Sequence, residues 1–265
     1  MNRRDTPIKG LLIDVDGVLR VGDRPLPGAV ETIRRLRAET VPFRLLTNTT
    51  TRSRTSLGRD LRGMGFDIAD DAIITAPVAT ARYLRRRFPG ASCYLIAKGD
   101  VAEDLEGVAL SDGPEARVVV VAGAEENFTY DALNHAFQLL LDGAALVAMH
   151  RNRYWMTPEG PKLDAGAFIR GLEYATGKRA VVVGKPAAAF FRAGVDALGL
   201  PVQQVAMIGD DLLSDVLPAM RLGCHGVLVR TGKFRPSDLE AGQPDAMLDS
   251  IAELPDWLEG CGRDA

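Results

Sequence analysis

The stretch GLLIDVDGVLR, residues 10–20, places two aspartates directly after a short apolar segment. Asp14 and Asp16 are separated by a single valine, and two like charges about 5 Å apart repel by roughly 3 kcal/mol at an effective dielectric near 20. A turn whose carboxylates face water would tolerate the pair. A cation held between the carboxylates would tolerate it as well, and the rest of the chain distinguishes these alternatives.

The composition is that of a globular protein without an electrostatic footprint for nucleic acid. The 265 residues contain 32 Lys and Arg against 35 Asp and Glu, a net charge of −3, so we expect neither a nucleic-acid partner nor an anionic membrane. The longest apolar segment, VVVVAGA at 118–124, is too short to span a bilayer. The three cysteines are far apart and form no CxxC pair, which predicts reduced thiols and a cytoplasmic location.

Apolar, β-branched segments alternate with amphipathic helical patterns along the whole chain. This alternation predicts the α/β class, with a parallel sheet covered by helices on both faces. Polar motifs follow the predicted strands before residue 50 and after residue 183, but rarely those in the middle. We therefore predict a core formed by residues 1–77 and 179–265, and an inserted α/β domain at 78–178. The predicted strands are 10–14, 42–47, 93–97, 117–122, 145–149, 179–183, 204–208 and 226–229, with helices near 28–39, 53–65, 77–88, 129–142, 165–176, 187–198 and 216–222.

Charged and polar residues follow four predicted core strands, at the edge where ligands bind in parallel α/β sheets. The motifs are DVDG, LLTN, GKP and GDDLLSD, and their polar residues are Asp14 and Asp16, Thr47 and Asn48, Lys185, and Asp210, Asp211 and Asp215. Each motif alone has a structural interpretation as a turn, a helix cap or a solvated charge. Together they gather carboxylates that a divalent cation would stabilise, because its charge offsets their repulsion. Oxygen ligands beside a phosphate group favour Mg²⁺.

In this order, the motifs resemble the four signature motifs of the haloacid dehalogenase-like (HAD) phosphatases, and the resemblance covers nearly the whole chain. The segments HRNRYW, LEYATG, MIGDD and RTGKFRPSD are similar to subclass IIA, in the branch that contains the phospholysine/phosphohistidine/inorganic pyrophosphate phosphatase. The resemblance implies a Rossmann-like doubly wound core, with the inserted domain as a cap. It also implies a Mg²⁺-dependent phosphatase that acts on a small phosphorylated metabolite, with a monoester, a phosphoramidate or pyrophosphate as the substrate.

The resemblance assigns the chemistry to the first motif. Asp14 would be the nucleophile that forms an aspartyl phosphate, and Asp16 would protonate the leaving group and then activate water. The metal ligands would be the carboxylates of Asp14 and Asp210 and the backbone carbonyl of Asp16.

The remaining motif residues would surround the phosphoryl group. Thr47 and Asn48 would donate hydrogen bonds to its oxygens, and Lys185 would neutralise its charge. Asp211 and Asp215 would hold metal-bound waters or orient Lys185.

A cap that closes over the site would contact the leaving group and set the specificity. The candidate residues in it are Arg153, Tyr154 and Trp155, with His150, Glu125 and Glu126. Packing is the competing interpretation for Tyr154 and Trp155. Lys233, in the loop TGKFRPSD, has two interpretations as well, a solvated loop residue or a residue near the site. A homo-oligomer formed through the cap is an expectation that rests on the family resemblance alone.

Three other functions share parts of this pattern. A haloacid dehalogenase also uses the first aspartate, but departing halide needs no proton donor, so Asp16 would have no task. A receiver domain also phosphorylates an aspartate, but such domains are shorter and lack an inserted domain. A non-catalytic binding protein on the same fold would be expected to have lost motif residues, and all are present here. Turnover distinguishes a phosphatase from a signalling domain, because a phosphatase releases many phosphates per chain and a receiver domain releases about one.

Overall fold

The computed structural model describes residues 6–157 and 160–263, and it confirms the predicted α/β class. The strands are β1 Gly10–Asp14, β2 Arg20–Val21, β3 Arg24–Pro25, β4 Phe43–Thr47, β5 Ile73–Thr75, β6 Ser92–Ile96, β7 Ala109–Leu110, β8 Val118–Val121, β9 Ala145–Ala148, β10 Tyr154–Thr157, β11 Gly160–Leu163, β12 Val181–Val182, β13 Val205–Gly209, β14 His225–Val229 and β15 Ala246–Leu248. The helices are α1 Ala29–Ala38, α2 Arg54–Gly63, α3 Ala76–Arg87, α4 Tyr130–Leu141, α5 Ala165–Thr176, α6 Ala188–Leu198, α7 Leu217–Leu222 and α8 Leu254–Arg263. No helix among these residues is both long and apolar enough to cross a membrane.

Contacts along the chain divide it into two compact units. The first unit contains the residues up to Thr47, Leu57–Ile74, and the residues from Lys185 onward. The second unit contains Asn48–Ser56 and Thr75–Gly184. The segment predicted as an inserted domain, 78–178, lies in the second unit.

The first unit is built on a six-stranded sheet in the order β15–β14–β13–β1–β4–β5. The central strand β1 pairs in parallel with both β13 and β4, and all five of its residues are buried. Leu11 and Ile13 pack in one cluster with Ile33 of α1. On the other face, a Cβ atom added to Gly194 of α6 would lie 2.7 Å from Leu12. Because alternate residues of a strand face opposite sides, helices cover both faces, as in a doubly wound sheet.

The second unit has its own parallel sheet, in the order β12–β9–β8–β6–β7. Its core joins strand residues such as Val119 and Val121 to Leu140 of α4 and Ile169 of α5. A separate antiparallel hairpin is formed by β10 and β11. The second unit therefore has an independent α/β core.

The strand that precedes Lys185 belongs to the second unit. Val181 and Val182 pair in parallel with Val147 and Ala148 of β9, so the prediction that placed this strand in the core sheet was wrong. A short β-branched segment can extend the edge of either sheet, and its apolar pattern does not encode the partner. Lys185 itself opens the last segment of the first unit.

Candidate active site

The site lies at the carboxyl edge of the first sheet, where four neighbouring strands end. β1 ends at Asp14 and β4 at Thr47, while Asp210 directly follows β13 and Lys233 lies in the loop after β14. The sheet order β14–β13–β1–β4 makes these strands adjacent. Parallel pairing brings their carboxyl ends to one edge, which is where ligands bind in such sheets.

Three buried aspartates from separate segments meet at this edge, and we call them the acidic cluster: Asp14, Asp210 and Asp215. Each offers a carboxylate oxygen, and these oxygens all lie within 4.8 Å of one another. The Nζ of Lys185 lies 2.7 Å from Asp14 Oδ1 and 2.7 Å from Asp215 Oδ1. The structure therefore brings together four residues that the sequence motifs named. Of the two tasks predicted for Asp215, the contact fits the one that orients Lys185.

Lys185 is only 5% exposed, so its charge depends on these two neighbours. Burial opposes protonation of the ammonium, but the carboxylates of Asp14 and Asp215 outweigh it and raise the pKa of Lys185 above its ordinary value. Burial also raises the pKa of Asp215 well above its ordinary range, against the opposing charge of Lys185. The lysine is thus a fixed cation in the floor of the site.

The two oxygens of Asp210 have different surroundings. Oδ2 accepts a hydrogen bond of 2.7 Å from the backbone N–H of Lys233, and a Cβ atom at either Gly17 or Gly232 would lie 2.0 Å from it. Both glycines have positive φ, so they supply the backbone geometry as well as the space. Oδ1 is buried and has no hydrogen-bond partner among the described residues. Burial, reinforced by the charge of Asp14, raises the pKa of Asp210 to about 7.

This arrangement fits a divalent cation bound by oxygen ligands. A buried carboxylate oxygen without a donor is costly unless a proton or a cation neutralises it. Asp210 Oδ1 is such an atom, and it lies in a group of three carboxylates close enough to share one ion. Because Mg²⁺ binds through one or two carboxylates with waters and phosphate oxygens, Asp14 and Asp210 suffice as protein side-chain ligands.

Asp16 lies outside the acidic cluster. Its Oδ1 accepts a hydrogen bond of 3.0 Å from Nε of Arg20, and its side chain is 47% exposed. The backbone N–H of Gly17 donates to the carbonyl oxygen of Arg20, which closes the turn between the two residues. Asp16 therefore has a fixed but solvent-accessible carboxylate, and the metal role predicted for it concerns only its backbone carbonyl.

The other motif residues have distinct surroundings. Thr47 is buried at the end of β4, whereas Asn48 is half-buried and begins the first segment of the second unit. Asp211 Oδ1 accepts hydrogen bonds from the backbone N–H groups of Leu213 and Ser214, at 3.0 and 2.9 Å. This carboxylate caps the helical turn that begins at Leu212.

The residues predicted to set specificity lie in the second unit. Arg153 and Tyr154 are exposed, and the side chain of Trp155 lies outside the described residues. His150 is buried, with Nε2 3.0 Å from Thr50 Oγ1 and with Nδ1 accepting from a backbone N–H. These contacts hold the His150 ring within this unit.

The acidic loop named in the sequence belongs to a cleft of the second unit. The carboxylates of Glu125 and Glu126 accept hydrogen bonds of 3.0 and 2.9 Å from Nζ of Lys98. The cleft has a volume of about 380 Å³, and it is lined by Thr51, Arg52, Ser56, Lys98, Gly99, Asp100 and Glu125. Its lining carries charges of both signs.

Lys233 lies near the acidic cluster, and sequence analysis had left it undecided between a solvated loop residue and a residue near the site. Desolvation of its ammonium opposes protonation, but Asp14, Asp210 and Asp215 outweigh it and raise the pKa of Lys233 above its ordinary value. The residue follows a predicted core strand, as the four motifs do, and this position was the available signal.

Comparison with known proteins places the chain in a family. Models described as haloacid dehalogenase-like hydrolase and HAD-hydrolase-like match residues 11–111 and 182–254. Human haloacid dehalogenase-like hydrolase domain-containing protein 2 is 41% identical over 241 residues, which is 91% of each chain. Human phospholysine phosphohistidine inorganic pyrophosphate phosphatase is 35% identical over 264 residues, 97% of this chain and 96% of that one.

Solved structures agree with this placement. The 4-nitrophenylphosphatase of Thermotoga maritima is 29% identical, with a TM-score of 0.88 over 97% of this chain and 99% of that one. The p-nitrophenyl phosphatase of Archaeoglobus fulgidus is 31% identical, with a TM-score of 0.88 over 96% of this chain and 99% of that one. These matches confirm the fold class and the resemblance carried by the motifs. The chain belongs to the haloacid dehalogenase-like hydrolase family and is an enzyme of its phosphatase branch.

Proposed function

We propose that this phosphatase hydrolyses small phosphate monoesters in a Mg²⁺-dependent reaction that passes through an aspartyl phosphate. The observation that carries the proposal is the convergence of Asp14, Asp210 and Asp215 within 4.8 Å, with Lys185 2.7 Å from two of them. Bound Mg²⁺ supplies the positive charge that lets an anionic ester approach a carboxylate.

Asp14 is the nucleophile. Its Oδ1 accepts hydrogen bonds from the backbone N–H of Val15 and from Lys185, both at 2.7 Å, which fixes the plane of the carboxylate. Its Oδ2 accepts no hydrogen bond from the described residues and is the oxygen available for attack. Attack by Oδ2 forms the new O–P bond as the bond from phosphorus to the leaving oxygen breaks.

Asp16 handles the protons. It donates one to the departing oxygen, and then takes one from the water that attacks the aspartyl phosphate and releases inorganic phosphate. Its partial exposure gives it access to substrate and water, and the contact with Arg20 keeps its orientation. Thr47, Asn48 and Lys185 bind the oxygens of the phosphoryl group.

The second unit is the cap, and its residues choose the leaving group. Arg153 and Tyr154, both exposed at the start of the hairpin, are candidates for this contact, as is Trp155. The printed names of two relatives support the substrate class: one is a 4-nitrophenylphosphatase, and the other is named for phospholysine, phosphohistidine and inorganic pyrophosphate. Phosphoramidates and pyrophosphate therefore belong with the monoesters in any substrate screen.

The experiment measures phosphate release from p-nitrophenyl phosphate by the wild type, Asp14→Asn and Asp196→Asn, with Mg²⁺ or with a chelator. Asp196 is an exposed aspartate of α6 and serves as the matched control. We expect Asp14→Asn to fall to below about a thousandth of the wild-type kcat, because the covalent step loses its nucleophile. Asp196→Asn should keep the wild-type rate.

Two results would contradict the proposal. A wild type that releases no phosphate with Mg²⁺, or releases it equally fast with a chelator, would exclude the Mg²⁺-dependent activity. An Asp14→Asn variant with near-native kcat would exclude the nucleophile. Intact-mass measurement of acid-quenched enzyme tests the intermediate directly, since only chains with Asp14 should carry a phosphoryl group.

A further inference from the structure

The loop from Arg230 to Lys233 is held against the loop that follows β1 and against Asp210 by hydrogen bonds and a close backbone approach. Thr231 Oγ1 donates a hydrogen bond of 2.6 Å to the carbonyl oxygen of Gly17. The backbone N–H of Lys233 donates to Asp210 Oδ2 at 2.7 Å, and a Cβ atom on Gly232 would lie 2.7 Å from the Cα of Gly17. The backbone position from which the Lys233 side chain extends is therefore fixed beside the acidic cluster.

The ammonium of Lys233 can still bind an anionic group of a substrate, whereas the ammonium of Lys185 is already paired with two carboxylates. Lys185 is buried and has a carboxylate oxygen of Asp14 and one of Asp215 at 2.7 Å. Lys233 is exposed as a whole residue although its ammonium is partly desolvated, and the structure records no hydrogen bond or ion pair of this ammonium with any described residue. Lysine charges on exposed surfaces usually have no further function. The hydrogen bonds of Thr231 and Lys233 place this lysine at the edge of the proposed phosphate site.

A charge count shows what this lysine adds. The acidic cluster contributes three negative charges when ionised, Lys185 one positive charge, and Mg²⁺ two, so the sum is zero without Lys233. Under the proposed function, Lys185 and Thr47 would bind the phosphoryl group that is transferred, and a bound Mg²⁺ would neutralise part of its charge. The ammonium of Lys233, at the edge of the site, therefore adds most to the binding of negative charge that lies outside the transferred phosphoryl group.

We infer that Lys233 is a substrate-binding residue that selects substrates whose leaving group is itself anionic, carrying a carboxylate or a second phosphoryl group. The inference rests on the proposed phosphatase function. It differs from that function in assigning part of the specificity to the first unit, at a residue outside the four motifs.

The test compares two substrates of similar size, p-nitrophenyl phosphate and p-carboxyphenyl phosphate, with inorganic pyrophosphate as a third. The enzymes are the wild type, Lys233→Met, Lys233→Arg and Lys9→Met. Lys9 is exposed and precedes the amino end of β1, at the opposite edge of the sheet, so Lys9→Met is the matched control. Each variant is compared with the wild type on the same substrate, which removes the difference in leaving-group reactivity.

Lys233→Met should lower kcat/KM about tenfold for p-carboxyphenyl phosphate and pyrophosphate, mainly through KM, because one charge-assisted contact is lost. For p-nitrophenyl phosphate the loss should stay below about twofold, since only weak, screened attraction to the ester is removed. Lys233→Arg should keep most of the discrimination, and Lys9→Met should match the wild type on all three substrates. Added salt should reduce the difference in kcat/KM between the wild type and Lys233→Met on the two anionic substrates.

An equal loss on all three substrates would overturn the inference, because it would give Lys233 only a general role in the acidic cluster. A Lys233→Met variant that keeps the wild-type ratio of kcat/KM between the anionic substrates and p-nitrophenyl phosphate would overturn the inference too. A wild type that hydrolyses p-nitrophenyl phosphate but neither anionic substrate overturns the inference and leaves the proposed function intact. A wild type that hydrolyses none of the three excludes the proposed function itself.

Discussion

The same dipeptide, Gly-Asp, occurs at the carboxyl end of β13 in the first sheet and just after β6 in the second, and the two aspartates have opposite surroundings. Asp100, after β6 of the second unit, accepts hydrogen bonds from the backbone N–H and Oγ of Ser53 and from Oγ of Ser56. Asp210, after β13 of the first unit, is fully buried, and no residue that the structure describes donates a hydrogen bond to its Oδ1.

The pKa values follow these surroundings. Desolvation raises the pKa of Asp100, but hydrogen bonds from Ser56 and Ser53 outweigh it, so that pKa lies below its ordinary value. For Asp210, burial and the charge of Asp14 prevail and raise the pKa to about 7. A carboxylate that the protein satisfies with donors is structural, whereas one left buried without donors needs a proton or a cation to neutralise it.

The largest effect should appear in the stability of the metal-free protein. Between pH 3.8 and about 7, the folded state binds a proton at Asp210 that the unfolded state has lost. The free energy of unfolding should therefore fall as pH rises through this range, by at most about 4 kcal/mol, and level off above it. Asp210→Asn should remove this part of the pH dependence.

Urea unfolding of wild type and Asp210→Asn, with a chelator at pH 5, 6, 7 and 8, provides the measurement. The stability difference between the two proteins should move in favour of the variant as pH rises. Adding Mg²⁺ at pH 8 should stabilise the wild type and leave the variant nearly unchanged, since binding to the native state adds stability. Parallel pH profiles would contradict the contribution assigned to Asp210.

The second prediction concerns the Mg²⁺ requirement. Asp210→Asn should raise the Mg²⁺ concentration for half-maximal activity by about a hundredfold or more, because even residues that merely support metal ligands contribute tenfold to a hundredfold. Titration of p-nitrophenyl phosphate hydrolysis with Mg²⁺ measures this concentration. If Asp100→Asn shifted it as far, the distinction between the two aspartates would fail.

Most long elements and the positions of the strand-end polar residues were predictable from the sequence, although the ten-residue helix α8 was missed. The strands β1, β4 and β13 and their helices lie within about two residues of the predicted ones, because apolar blocks of four or more residues followed by amphipathic helices have few alternatives. The strands β5, β7 and β15 were missed, since two or three residues carry no usable period. The sheet to which β12 belongs was also not encoded locally.

In the site, too, local sequence patterns identify residues at strand ends but not contacts between distant segments. Asp14, Lys185 and Asp210 were named because each follows a predicted strand. The contact from Thr231 to Gly17 joins residues 214 positions apart, and no local pattern predicts such a contact. The contact between Thr231 and Gly17 places Lys233 beside the site, and the sequence shows only that Lys233 follows a predicted strand.

The smallest effect should come from Asp100→Asn, and it should be confined to stability. Replacing the carboxylate removes charge-assisted hydrogen bonds from Ser53 and Ser56, which should lower the free energy of unfolding at pH 7 by about 1–2 kcal/mol. Because the pKa of Asp100 is lowered by folding, its contribution is present above the unfolded pKa and is lost as pH falls through the folded one. The wild type and Asp100→Asn should therefore converge in stability toward low pH, the reverse of the trend for Asp210. Urea unfolding at pH 3 to 7 tests this, and a stability gap that stays constant across that range would show that hydrogen bonds to the ionised carboxylate are not what distinguishes the two residues.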